Sequence, residues 1–239
     1  MTLSVPTQQL CPEFTVCGQI TVDDVAVLAH ALARAHADGL GPPDQRAAAR
    51  SALARFWDGV GLMGTFMAGV PLPAAQAFGA WFGQWFSPYQ TNPLGLNPLR
   101  TLLQREVDFE LLAHQRRMKV FVTATNIRTG RGEVFSGKQL SCSAVMASAC
   151  LPTLFQAVEI DGEHYWDGGY SGNPAIYPLI YETDSADMIL VQINPIESTF
   201  KPGASTTEIA ERVNEITFNA PLLAEIRAIE FVSRLLAEG

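Results

Sequence analysis

The residues whose types and spacing could do chemistry lie in one stretch. Ala147-Ser148-Ala149-Cys150-Leu151-Pro152 is followed by Tyr165-Trp166-Asp167-Gly168-Gly169-Tyr170 and then by Gly172-Asn173-Pro174-Ala175. An acidic residue at the end of a short strand, on a glycine turn, lets backbone pass close to a ligand while the carboxylate faces a cleft. That placement suits a general base. Asp-Gly-Gly is also an ordinary turn in which the aspartate caps backbone amides. The tripeptide alone favours the turn, so its context has to decide.

The elements that must hold Asp167 read as follows. Phe14 to Ile20 alternates as a short strand, and Thr21 with Asp24 opens a helix that carries Val25, Leu28, Ala29 and Leu32 on one face and stops near Gly39. A second helix runs from Asp44 to about Val60, and further helices are expected from Asn97-Pro98 and over Asp108 to Gln115. Lys119 to Thr125 reads as a strand, turning at Arg128 to Gly132 into Glu133 to Ser136. Ser141 to Cys150 is a helix of small residues. Asp161-Gly162 joins Val158–Ile160 to His164–Trp166 as a hairpin, and Met188 to Asn194 reads as a buried strand. From Ser205 to Ala237 the pattern is helical, with a break expected around Asn219-Ala220-Pro221. Strands alternating with helices indicate one layered α/β domain over 1–239, with no internal repeat.

The combined string, an Ala-Ser-x-x-x-Pro loop ahead of an Asp-Gly-Gly turn, resembles the catalytic region of patatin-like phospholipases. The similarity extends to Val120–Gly130 upstream and to Asn194-Pro195, Arg212-Val213-Asn214-Glu215 and Phe218-Asn219 downstream. The resemblance implies a central, mostly parallel sheet flanked by helices. It also implies a lipid acyl hydrolase whose serine, in G-x-S-x-G, attacks an acyl ester with the turn aspartate as its base. Asp167 takes that role, with Gly168 and Gly169 as its supporting turn. A glycine-rich loop would supply oxyanion donors, and no metal or organic cofactor is implied.

No G-x-S-x-G occurs in the chain. The helix with Val27-Leu28-Ala29-His30 corresponds to the one that follows the nucleophile, and before it stands Phe14-Thr15-Val16-Cys17-Gly18-Gln19-Ile20-Thr21, while Met1 to Leu10 has no glycine. Residues 1–24 are therefore a divergent N-terminus, either a degenerate form of the family's or the product of a changed frame or start site. Thr21, Cys17 and Ser148 are the substitute nucleophiles to weigh. Each has an ordinary job as well: a helix N-cap for Thr21, a buried strand thiol for Cys17, and backbone satisfaction around the turn for Ser148. Three outcomes stay open: an acyl hydrolase, a non-catalytic domain that binds lipid or a partner, and an incomplete gene product.

Composition narrows the partners. A net charge of −8 and a pI near 5.0 argue against nucleic acid, whose phosphates need a concentrated basic face. The four cysteines form no C-x-x-C pair, and His30, His36, His114 and His164 share no ligand spacing, so no metal is expected. No secretory leader is read, which makes the cytoplasm the expected compartment. Residues 60–95 are aromatic and repeatedly interrupted by Gly and Pro, which suits a cap over acyl chains, or a peripheral membrane contact through Trp81, Phe82, Trp85 and Phe86, better than a span.

Overall fold

A computed structural model describes residues 22–67, 87–114, 118–152, 154–183, 188–190, 196–198 and 205–238. Helix α1 (Val22–Ala37) buries an alanine-rich stripe, Ala26, Ala29, Ala31 and Ala35, with Val27. It ends as glycine allows: Gly39 has φ +74°, its N–H bonds the His36 carbonyl, and the Leu40 N–H bonds the Ala35 carbonyl. These two bonds are the Schellman pair that satisfies a helix's last carbonyls. Helix α2 (Pro42–Met67) begins on proline, whose missing N–H costs nothing there, and packs on α1 through Ala49, Ala52 and Phe56.

Helix α3 (Pro88–Thr91) is one turn. Helix α4 (Pro98–Glu106) is capped by Asn97, whose side chain accepts the Leu99 N–H at 3.1 Å, and buries Leu102 and Leu103. A Cβ at Gly59 of α2 would stand 2.8 Å from Leu102 Cδ1, so the absence of a side chain there sets how closely α2 and α4 approach. Helix α5 (Phe109–His114) adds Leu112 to the same helical core.

Strands β1 (Phe121–Asn126), β2 (Gly132–Ser136), β3 (Val158–Ile160) and β4 (Glu163–Asp167) form one sheet in the order β2-β1-β4-β3. Every pairing is antiparallel. Phe121 faces Ser136, Ala124 faces Asp167 and Val158 faces Tyr165. The β3–β4 hairpin turns on Asp161 and Gly162, both at positive φ (51° and 82°), as a type I′ turn demands.

Helix α6 (Cys142–Ser148) lies between the two layers. Cys142, Val145 and Met146 join the helical core, whereas Ala144 and Ala147 pack with Ala124, Phe135 and Tyr165 of the sheet. Small side chains on the sheet side let the helix sit close. Helices α7 (Tyr177–Glu182) and α8 (Thr206–Glu238) follow, and α8 packs on the residues after β4.

The structure departs from the sequence reading in several places. The mostly parallel sheet is not what the described strands form, because β1–β2 and β3–β4 are joined by short turns, and a parallel pair needs a crossover of a dozen or more residues. Met188, Ile189 and Leu190 are exposed and outside any strand, since an apolar run states a burial preference but supplies no neighbouring ladder. The rest of that run, and Phe14 to Ile20, lie outside the described residues. Helix α2 continues past Val60 through Gly61, and α8 continues through Pro221. A long helix tolerates one weak position. No described helix is long and apolar enough to cross a membrane.

The placement of α6 rests on its start, where Ser141 Oγ accepts the Ala144 N–H at 3.2 Å. Ser141→Ala is expected to lower unfolding stability by about 1 kcal/mol, read as a lower denaturant midpoint with an unchanged slope.

Candidate functional site

Asp167 ends β4, and its main chain is fixed on both sides. Its N–H donates to the Cys150 carbonyl at 2.9 Å, and its own carbonyl accepts the Thr125 hydroxyl at 2.7 Å. Cys150 follows α6 and Thr125 stands on β1, so helix and sheet together set where the turn begins. The next residues, Gly168 to Tyr170, make a single 3-10 turn that Asp167 caps.

Both glycines are required by contact rather than by φ. A Cβ on Gly168 would lie 1.9 Å from the Thr123 carbonyl oxygen, so the turn runs directly against β1. A Cβ on Gly169 would lie 2.2 Å from Phe218 Cε1 of α8. Any side chain at either residue displaces backbone or an aromatic ring. The Ser171 hydroxyl completes the fastening: it lies 2.7 Å from Thr125 Oγ1, over Gly132, where a Cβ would be 2.9 Å from it.

The Asp167 carboxylate is largely buried. Its Oδ1 accepts the Gly169 N–H at 2.7 Å, and among the described residues Oδ2 makes no hydrogen bond. Burial raises its pKa from 3.8 to about 6, against the lowering effect of the Gly169 N–H. The neighbours respond to the same surroundings. Burial first and the Asp167 charge second push the Cys150 thiol up to about 11, and the same two causes raise the Tyr170 phenol. A carboxylate so held accepts a proton near neutral pH, and among the described residues one of its oxygens is uncommitted.

The sequence-selected residues fare differently. Asp167, Gly168 and Gly169 stand together at the end of β4. Ser148 is buried at the last position of α6, and no hydrogen bond joins it to Asp167 among the described residues. Ser141 caps α6, and Ser143 Oγ accepts from Arg100 at 3.1 Å. Thr21 and Cys17 lie outside the described residues, as do Trp81, Phe82, Trp85 and Phe86. His164 is exposed on the sheet face opposite Tyr165. Among the described residues no three His, Cys, Asp or Glu side chains converge as metal ligands would.

Sequence reasoning did not select Cys150, Thr125, Ser171 or Phe218 as neighbours of the turn. Only the β1–β4 register, with Ala124 opposite Asp167, brings Thr125 there. Cys150 and Phe218 stand in strings the sequence singles out, but nothing local ties them to the turn.

On the opposite end of β4, on the same face as Asp167, a polar network anchors the strand. Asn126, 1% exposed, donates to both Glu133 (3.0 Å) and Glu163 (3.1 Å). The Tyr165 hydroxyl donates to Glu133 at 2.6 Å, and Arg128 forks onto Glu163. The network ties β1, β2 and β4 together in one register.

Two substitutions test this geometry. Gly168→Ala is expected to lose at least about 2 kcal/mol of stability, because the new methyl meets backbone. Asp167 carries a pH signature. Below about pH 4 both states hold its proton; as pH rises from about 4 to about 6 the unfolded chain releases it first, so native stability falls, and above about 6 the loss is complete. Asp167→Asn escapes this loss, and is expected to exceed the wild type by roughly 2 kcal/mol above neutral pH, with the difference shrinking in acid, in melts taken across pH.

The sequence model of the patatin-like phospholipase family matches residues 26–180, well over half of the chain. No curated protein and no solved structure matches it. The matched stretch runs from the first buried residues of α1 to the residues beyond the Asp-Gly-Gly turn, and therefore holds α6, the sheet and Asp167 with its fastenings. The chain belongs to the patatin-like phospholipase family.

Proposed function

We propose that this chain is an acyl-lipid domain that keeps the base half of a Ser-Asp dyad at Asp167 and, for want of a G-x-S-x-G nucleophile, binds acyl lipid with hydrolysis lost or impaired. The observation that carries the reading is the pairing of an intact, buried Asp-Gly-Gly turn with the absence of that motif from the sequence. Family membership supports a lipid ester as the bound class. The aromatic segment within 60–95 supplies acyl-chain contact or a peripheral membrane contact in this reading, and 1–239 works as one domain with a layered core that includes parallel strands. The proposed compartment is the cytoplasm, with no cofactor.

A specific observation favours active hydrolysis as the second reading. Burial raises the Asp167 carboxyl to about 6 and, among the described residues, Oδ2 has no hydrogen-bond partner, the state a general base needs. Its nucleophile would be Thr21, Cys17 or Ser148. Ser148 is the one of the three in the described residues, and its burial without a bond to Asp167 counts against it.

The two readings separate in one pair of assays on the full chain. The lipid-binding reading expects saturable binding of a fluorescent long-chain fatty acid, no labelling by a fluorophosphonate, and no turnover of a chromogenic short-chain ester above an Asp167→Asn control. Labelling at one defined hydroxyl or thiol that disappears in Asp167→Asn would overturn it and establish the hydrolase.

A further inference from the structure

Helix α8 lies beyond the stretch that the family model matches, yet it reaches the Asp-Gly-Gly turn. Phe218, Leu222 and Glu225 recur at i, i+4 and i+7, one stripe of the helix. Each fastens part of the chain after β4 or packs into the body. The Phe218 ring rests on Gly169 and on the Tyr170 ring, with centroids 4.9 Å apart. Leu222 is fully buried, and Glu225 Oε2 accepts the Ile176 N–H at 2.6 Å.

The position of Gly169 makes the first contact consequential. A Cβ placed there would lie 2.2 Å from Phe218 Cε1 and 3.0 Å from Asp167 Oδ1. Ring and carboxylate oxygen are therefore near neighbours across a residue with no side chain. The same glycine that the ring rests on donates its N–H to Oδ1 at 2.7 Å.

We propose that Phe218 is a positioning residue for Asp167: its ring, delivered by α8, holds the Asp-Gly-Gly turn against the carboxylate and controls solvent access to Oδ1. The inference rests on the reading of Asp167 as the functional carboxylate. It adds that a helix outside the matched family stretch sets the state of that group. Pro221 stands between Phe218 and Leu222 and has no N–H to offer the Thr217 carbonyl, so the helix lacks one backbone bond at the stripe. The titratable groups that feel the Asp167 charge are Cys150, from the segment after α6, and Tyr170, on the turn itself.

The test is a carboxyl titration of the full chain, labelled with carbon-13 aspartate, in which the Asp167 signal is assigned by its loss in Asp167→Asn. The wild-type midpoint is expected at about 6. Phe218→Ala is expected to lower it by about one unit, toward ordinary carboxylates, while Phe218→Tyr, which keeps a ring, restores it. If Phe218→Ala does not melt cooperatively, Phe218→Leu serves in its place and is expected to shift the midpoint in the same direction by less. An unchanged midpoint in a folded Phe218→Ala or Phe218→Leu protein, or an ordinary midpoint in the wild type, overturns the proposal. The titration needs no turnover and no lipid. A shifted midpoint with negative lipid and ester assays would leave the positioning role standing while the functional reading fell, and the converse result would separate them the other way.

Discussion

At Gly168 the main chain passes so near the Thr123 carbonyl that no side chain fits between them, and the arrangement around Asp167 follows from that contact. The contact requires β4 to lie beside β1 in one register, Ala124 against Asp167. A slip by a single residue would put Trp166 where the carboxylate stands and turn the Asp167 side chain to the other face. The buried network of Asn126, Glu133, Tyr165 and Glu163 guards against that slip, because each of its hydrogen bonds exists in only one register. The glycine turn and the polar network thus fix the two ends of one strand. What lies between them, Tyr165 packed on Ala144 and Ala147, is set by the small residues of α6.

Helix α6 explains why the turn is buried at all. Ala144 and Ala147 bring the helix close to the sheet, and the residues after it deliver the Cys150 carbonyl to the Asp167 N–H. Larger residues would push the helix away and open the carboxylate to water. Burial is what raises the proton affinity of Asp167. The cost falls on stability, since a carboxyl that prefers its proton in the fold weakens the native state wherever it ionises.

How much of this was legible in the sequence depended on the range of the cause. The Asp161-Gly162 hairpin, the stop of α1 at Gly39 and the Ser141 start of α6 rest on backbone rules that act within a few residues, and each is where the sequence indicated. The breaks expected at Gly61 and around Pro221 did not form, because a long helix tolerates one weak position. Strand pairing is a relation between distant segments, which explains why the described sheet is antiparallel where a parallel one was expected. The same division runs through the site. Asp167 and its glycines announced themselves as a contiguous motif. Thr125, Cys150 and Phe218 come from separate elements, and only the register of β1 with β4 and the path of α8 bring them to the turn.

Two opposed demands meet at Gly169. A base needs a carboxylate deprived of water enough to seek a proton near neutral pH, yet an unpaired buried charge is costly without a donor. Gly169 bears on both, since its N–H donates to Oδ1 and its missing side chain leaves room for the Phe218 ring. Alanine there would meet the ring and the carboxylate oxygen together. Gly168 is fixed by the backbone of β1, whereas Gly169 faces a side-chain ring of α8. The short motif owes its two glycines to two different neighbours, one within the matched family stretch and one beyond it.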